Sequence, residues 1–137
     1  MSRRGAREVA LKTLFVLDFD PQAEVETALT TAREDVEGVT DKDVEYSRQL
    51  ITGTKAKQAE IDEQLGKLSK EWQLNRMGAI DRNILRMACY EIRYGEEKVP
   101  ASVAINEAVE LAKSYGTDES AGFINGILGT LVRNDEQ

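Results

Sequence analysis

The chain has 137 residues, of which 41% are hydrophobic and 31% charged, with only two prolines and ten glycines. This composition is typical of a globular protein and excludes fibrous, disordered and disulfide-rich classes. At this length we expect a single domain over residues 1–137, which buries enough apolar surface to fold without a metal or a disulfide.

The sequence also argues against several kinds of site and location. No stretch approaches the roughly 18–20 uninterrupted apolar residues of a transmembrane helix. Glu8, Lys12 and Asp18 interrupt the apolar run near the amino terminus, so it does not resemble a signal peptide, and we expect a cytoplasmic protein without a membrane role. With one cysteine and no histidine, the chain lacks the commonest metal ligands and the usual catalytic base, and we expect no metal and no cofactor.

Charge is unevenly distributed along the chain. The net charge of −7 would by itself argue against binding to nucleic acid. Residues 1–12, however, contain three arginines and one lysine against Glu8 alone, so they carry +3 and the remaining residues carry −10. The basic charge is concentrated at one end.

Apolar residues recur at helical spacing from end to end, and strand-like alternation is nowhere sustained. The spacing predicts a first helix over about residues 5–19, with a basic first half and a deeply buried second half. Asp20 and Pro21 are typical of an N-cap and a first helical residue, so they predict the start of a second helix, which Gly38 ends.

The middle of the chain is predicted to contain two further helices. Thr40, with acidic residues directly after it, predicts the capped start of a long third helix that reaches Leu68 and bends at Gly53. A connection over about residues 72–78 leads to a fourth helix over about 79–94.

Two helices are predicted for the last third of the chain. Pro100 predicts the start of the fifth helix, and Gly116 its end. Thr117 is expected to cap the last helix, with Asp118 and Glu119 in its first turn. Each predicted helix has an apolar face that must be buried, and connectors this short leave another helix as the nearest surface to cover it. The sequence therefore predicts an all-α compact bundle of about six or seven helices.

The last predicted helix has three glycines on one side, Gly122, Gly126 and Gly129, although each costs about 1 kcal/mol relative to alanine. Either they allow close packing against the alanine-rich face of the fifth helix, or they form a smooth surface that admits an RNA or a protein partner. We favour packing.

The basic amino terminus is the strongest candidate for a nucleic-acid contact. Arg3, Arg4 and Arg7 are spaced so that a helix places them on one side, where they could bind consecutive phosphates. The alternative is a solvated helix end. Phe15 and Phe123 could each stack on a base or belong to the core.

The remaining reactive residue types give no indication of catalysis. Glu107 and Glu110 are most simply interpreted as solvated side chains, and no carboxylate pair is assigned an acid or base role. Cys89 lies among apolar residues with no histidine to activate it, so it is predicted to be a core residue. We therefore expect that the protein is not an enzyme.

Four segments resemble one known family. These are VAINEAVELAKSYG at residues 103–116, FINGIL at 123–128, RGARE at 4–8 and DRNILRMACYE at 81–91. They resemble the NusB family, and the similarity extends over nearly the whole chain. The resemblance implies two three-helix bundles packed together and a transcription antitermination factor without catalytic activity.

The resemblance also implies partners and sites. In the family, the protein pairs with the ribosomal protein NusE, and the two hold a U-rich single-stranded RNA element called boxA within an antitermination complex with RNA polymerase, promoting read-through in ribosomal RNA operons. By resemblance, the RNA-binding residues are Arg3, Arg4, Arg7, Phe15 and Phe123, and the partner-binding residues are Asp81 and Arg82.

Two other interpretations stay open at this point. The first is a helical protein-interaction module without RNA contact. A homodimer that buries the basic surface is one form of this interpretation. The second is an RNA-modifying enzyme, since the same fold occurs as the amino-terminal domain of certain RNA cytosine methyltransferases; a glycine-rich cofactor loop, which such an enzyme needs, does not occur in this sequence.

Overall fold

The computed structural model describes residues 3–69, 77–96 and 99–135. Within these ranges it contains seven α-helices and no strand, so the all-α prediction is confirmed. The helices are α1 (Arg4–Phe19), α2 (Val25–Glu34), α3 (Asp41–Ala56), α4 (Gln58–Leu68), α5 (Ala79–Arg93), α6 (Ala101–Tyr115) and α7 (Ser120–Asp135). The predicted connection over residues 72–78 lies mostly outside the described residues.

The helices form two bundles that share one core. In the first bundle α1 packs against α2 and α3, and in the second α5, α6 and α7 pack against one another with α4 alongside. Helix α5 contacts both α1 and α3 of the first bundle, so it joins the two halves. Cys89 on α5 is fully buried in this core, as predicted.

Several helix boundaries follow the chemistry that the sequence predicts. The Thr40 hydroxyl accepts a hydrogen bond from the Asp43 backbone N–H at 3.2 Å, and the Asp43 carboxylate accepts one from the Thr40 N–H at 3.1 Å. This reciprocal pair is a capping box, which satisfies two donors at the start of α3. Helix α6 begins directly after Pro100 and ends at Tyr115, with Gly116 as its C-cap, as predicted.

Two predicted boundaries at the start and middle of the first bundle are wrong. The Asp20 carboxylate accepts from the Gln22 N–H at 3.1 Å and closes a turn, so α2 begins only at Val25. The long third helix divides at Lys57 into α3 and α4. Gly53 lies inside α3, where its missing side chain makes room for the ring of Tyr90.

The predicted start of the last helix is also wrong. Helix α7 begins at Ser120, three residues after Thr117. The Ser120 hydroxyl reaches back and accepts a hydrogen bond from the Thr117 N–H at 2.9 Å. Asp118 and Glu119 therefore precede the helix instead of occupying its first turn.

The packing explanation for the glycines of α7 is also wrong. Gly122 and Gly126 are exposed, and a Cβ added at either would meet no atom within 4 Å. A Cβ at Gly129 would meet only the Arg133 guanidinium, at 3.3 Å. The alternative, a smooth surface for a partner, stays a prediction.

No helix of the described part of the chain is long and apolar enough to cross a membrane.

Two glycine variants test this description of packing. Gly126→Ala is expected to raise the free energy of unfolding by about 0.5–1 kcal/mol, because alanine favours the helix and meets open space. Gly116→Ala is expected to lower it by about 1–3 kcal/mol, since its Cβ would lie 2.9 Å from the Ala112 carbonyl oxygen and overlap Ser120. Urea unfolding measures both, and destabilisation by Gly126→Ala would contradict an open surface at that position.

Candidate nucleic-acid interface

The three arginines at the amino terminus have different environments. Arg3 is the residue before α1, Arg4 begins the helix, and Arg7 lies one turn further on. The side chain of Arg4 is 52% exposed, whereas Arg7 is only 4% exposed. The sequence predicts one basic face, but the structure separates a surface pair from a buried residue.

Arg7 is held by a buried carboxylate on α5. Its Nε and Nη2 donate to the two carboxylate oxygens of Glu91 at 3.0 and 2.8 Å. The hydroxyl of Tyr46 on α3 donates to the same carboxylate at 2.5 Å. The guanidinium of Arg3 lies over the Tyr46 ring, 4.1 Å from its centre, in a cation–π contact.

The charges of this cluster fix the protonation states of its members. Burial alone would lower the pKa of Arg7, but the hydrogen bond and charge of Glu91 outweigh burial and raise it, so Arg7 stays cationic. Burial and the negative charge of Glu91 raise the pKa of Tyr46 well above its ordinary value. Tyr46 therefore remains a hydrogen-bond donor at neutral pH.

A second carboxylate binds the exposed arginine. Arg4 donates from Nε and Nη2 to the two oxygens of Glu107 on α6, at 3.2 and 2.9 Å. Glu107 also lies 3.7 Å from Nη1 of Arg7, and its side chain is only 11% exposed. The hydrogen bond from Arg4 lowers the pKa of Glu107. The interpretation of Glu107 as a solvated side chain is therefore wrong.

These contacts change the role of Arg7. Its guanidinium lies inside the fold and donates to Glu91, which leaves Arg3 and Arg4 as the members of the cluster that reach the surface. A phosphate contact by Arg7 would require that its buried ion pair first be broken. We therefore assign Arg7 the role of an anchor that holds the start of α1 on α5.

Phe15 lies on the same side of α1 as Arg4. The two residues are eleven positions apart, which is about three helical turns and roughly 16 Å. Phe15 is half-buried and lines a cleft of roughly 630 Å³ between α1 and α2, whose walls also include Lys12 and Tyr115. The Lys12 ammonium lies 5.1 Å from the centre of the Tyr115 ring.

Phe123 and Asp81 line one depression. It has a volume of roughly 290 Å³ and includes Met77 and Gly78 at the start of α5 and Glu119 just before α7. Ile80, the neighbour of Asp81, lines the cleft that contains Phe15. The start of α5 thus borders both aromatic positions that the sequence predicts for RNA.

Arg82 is engaged within the fold. Its Nε and Nη2 donate to the carboxylate of Asp18 on α1, and its Nη1 donates to the Met77 carbonyl at 2.9 Å. Burial raises the pKa of Asp18, but the hydrogen bond and charge of Arg82 lower it by more. Arg82 therefore fixes the start of α5 against α1, next to Asp81.

Sequence reasoning missed the residues that organise this surface: Tyr46, Glu91 and Glu107. Both glutamates lie in the segments that carry the family resemblance, which was the one available signal. Their partners are distant in sequence, 84 positions for Arg7 and Glu91 and 103 for Arg4 and Glu107. Helical periodicity cannot pair residues at such separations.

Comparison with known proteins identifies the family. The model of the NusB family matches residues 4–133. The chain belongs to the NusB family. It is 47% identical over 137 residues to the "Transcription antitermination protein NusB" of Desulforamulus reducens, which covers 100% of this chain and 94% of that relative. The resemblance found in the sequence is confirmed.

Solved structures agree with this assignment. NusB of T. maritima superposes with a TM-score of 0.84 at 35% identity, covering 97% of this chain and 92% of that one. A structure described as the antitermination factors NusB and NusE in complex with dsRNA shares the fold, with a TM-score of 0.81 at 23% identity and 96% of each chain covered. The protein is a NusB antitermination factor, and the prediction that it is not an enzyme is confirmed by its family.

The anchor role of Arg7 can be tested by unfolding. Arg7→Ala is expected to lower the free energy of unfolding by about 3–5 kcal/mol, because it leaves the Glu91 carboxylate buried without its cationic partner. Arg4→Ala removes the same charge from the surface and is expected to change stability little. Urea unfolding compares the two variants, and equal stability would contradict the anchor role.

Proposed function

We propose that this NusB factor binds the U-rich, single-stranded boxA element of RNA jointly with NusE. The complex would act with RNA polymerase to promote read-through in ribosomal RNA operons. The observation that carries the proposal is the shared face of α1, on which the exposed Arg4 and the cleft-lining Phe15 lie three turns apart. The structure of NusB and NusE in complex with dsRNA, which has the same fold, supports the partnership with NusE.

The arginines supply the phosphate contacts in this proposal. Arg3 and Arg4 lie at the start of α1, and Lys12 lies further along the helix toward Phe15. Three cationic contacts with a single strand correspond to a salt slope of about −2, which is a modest electrostatic contribution. Non-electrostatic contacts and a second protein are therefore needed for tight binding.

The aromatic side chains supply the base contacts. Phe15 and Phe123 are both half-buried, so each combines a fixed position with an accessible ring surface. Bases can stack on such rings only when they are unpaired and unstacked from their neighbours, which favours single-stranded RNA over a duplex. A ring also stacks without reading the base edge, so specificity for uracil would need further contacts.

The start of α5 is the proposed contact with NusE. Asp81 lines the Phe123 depression, and the Arg82 ion pair with Asp18 holds this turn in place. A ribosomal partner with basic charge would be attracted to a chain of net charge −7, and would add cations that the RNA surface lacks. In this arrangement Asp81 contacts the partner directly, and Arg82 orients the turn.

Fluorescence anisotropy with a labelled U-rich boxA RNA and NusE tests the proposal. Arg3→Ala with Arg4→Ala is expected to weaken binding and to reduce the magnitude of the salt slope by about 1.4, because two phosphate contacts are lost. Phe15→Ala is expected to weaken binding about tenfold or more with an unchanged slope, since stacking is not ionic.

The matched control for the arginine variant is Lys57→Ala with Lys67→Ala, which removes two exposed charges at α4. It is expected to leave the slope unchanged. Equal effects of the two double variants would contradict a specific RNA surface on α1. If no mixture binds RNA, the function is that of a protein-interaction module, and a homodimer in sedimentation experiments would support that outcome.

A further inference from the structure

Glu107 lies between an exposed arginine and a buried one. Its carboxylate accepts two hydrogen bonds from Arg4, and it lies 3.7 Å from Arg7. Arg7 is in turn bound to Glu91. The cluster therefore alternates in charge from the surface to the interior, and Arg4 is the member most exposed to solvent.

The contact of Arg4 with Glu107 uses the donors that a phosphate would use. A guanidinium binds carboxylates and phosphates in the same way, through two parallel N–H donors. In the structure, Nε and Nη2 of Arg4 both donate to Glu107. A phosphate that binds this edge of Arg4 must first displace the carboxylate.

We propose that Glu107 is an internal competitor for RNA phosphate at Arg4 and thereby limits the RNA affinity of the protein. The inference rests on the proposed function, because it concerns the same arginine surface. In the free protein Glu107 occupies Arg4, and RNA binding exchanges one oxyanion for another.

The second partner of Glu107 makes this exchange feasible. A largely buried carboxylate that loses its only cation is strongly destabilised. When Arg4 turns to a phosphate, Glu107 still faces the guanidinium of Arg7. Arg7 cannot leave, since Glu91 and the packing of α1 hold it. The buried arginine therefore stabilises the carboxylate that the exposed arginine releases.

This arrangement favours RNA that makes additional contacts. A ligand that offers only a phosphate gains little, because it replaces a good bidentate contact with an equivalent one. A strand that also stacks on Phe15 adds free energy that the internal carboxylate does not supply. Glu107 would thus weaken non-specific phosphate binding more than binding of an unstacked strand.

Glu107→Gln is the direct test, with Glu110→Gln as the matched control. Glu110 lies one turn further along α6 and forms an ion pair with Lys113 at 3.9 Å; its charge also acts on Arg4, but less strongly than that of Glu107. In anisotropy with U-rich boxA RNA and NusE, Glu107→Gln is expected to raise affinity about two- to fivefold. The salt slope should stay near that of the unsubstituted protein, because Arg4 contacts a phosphate in both. Glu110→Gln is expected to raise affinity by less.

A double-mutant cycle tests whether Glu107 changes RNA affinity through Arg4. If Glu107 acts through Arg4, the extra gain of Glu107→Gln over Glu110→Gln disappears in an Arg4→Ala background. Equal gains for both glutamine variants, or weaker binding by Glu107→Gln, would overturn the proposal. If Arg4→Ala alone leaves RNA binding unchanged, it is the proposed RNA surface that fails, so the two failures are distinguishable.

Glu107→Asp separates the position of the carboxylate from the net charge of the protein. Glu107→Asp shortens the side chain by one methylene and withdraws the carboxylate from Arg4 while the net charge stays at −7. Affinity is expected to rise in this variant as well, by less than in Glu107→Gln. Thermal unfolding verifies that both variants are folded. A gain confined to the glutamine variant would show an effect of net charge and would overturn the competition.

Discussion

The buried ion pair between Arg7 and Glu91 is the interaction on which the rest of this surface depends. Removing two charges from water is costly, and the cost is offset only when hydrogen bonds satisfy both groups. Here the carboxylate accepts from Arg7 on α1 and from the Tyr46 hydroxyl on α3. Because Glu91 lies on α5, these bonds form only when α1 and α3 pack against α5 with Arg7 and Tyr46 both beside Glu91. The pair therefore fixes the start of α1 against the helix that joins the two bundles.

This anchor divides one basic segment into two functions. The guanidinium of Arg7 is buried and paired with Glu91. Arg3 lies over the ring of Tyr46, whose hydroxyl donates to the same carboxylate. Arg4 remains exposed on the side of α1 that carries Phe15. An acidic protein can then present a small cationic surface in a defined direction. A modest number of cations also explains why a second protein and aromatic stacking would be needed for RNA binding.

The sequence predicted most of the fold because local rules determine most helices. The Thr40 capping box and the Pro100 and Gly116 boundaries depend on neighbouring residues and were confirmed. The predicted start of the second helix was wrong because the Asp20 carboxylate closes a turn instead. The site was harder to predict. Spacing placed Arg3, Arg4 and Arg7 on one helix, but their separation into surface and interior depends on Glu91 and Glu107, which are remote in sequence.

The most direct test of the separation between a buried Arg7 and an RNA-binding Arg4 is the NMR signal of each arginine Nε–Hε group during titration of the NusE complex with U-rich boxA RNA. We expect the Arg7 signal to be protected from exchange with water throughout the titration, because Arg7 remains bound to Glu91. The Arg4 signal should shift with the fraction of RNA bound. A loss of protection at Arg7 on RNA binding would contradict the buried anchor, since the ion pair with Glu91 would then open to take part in recognition.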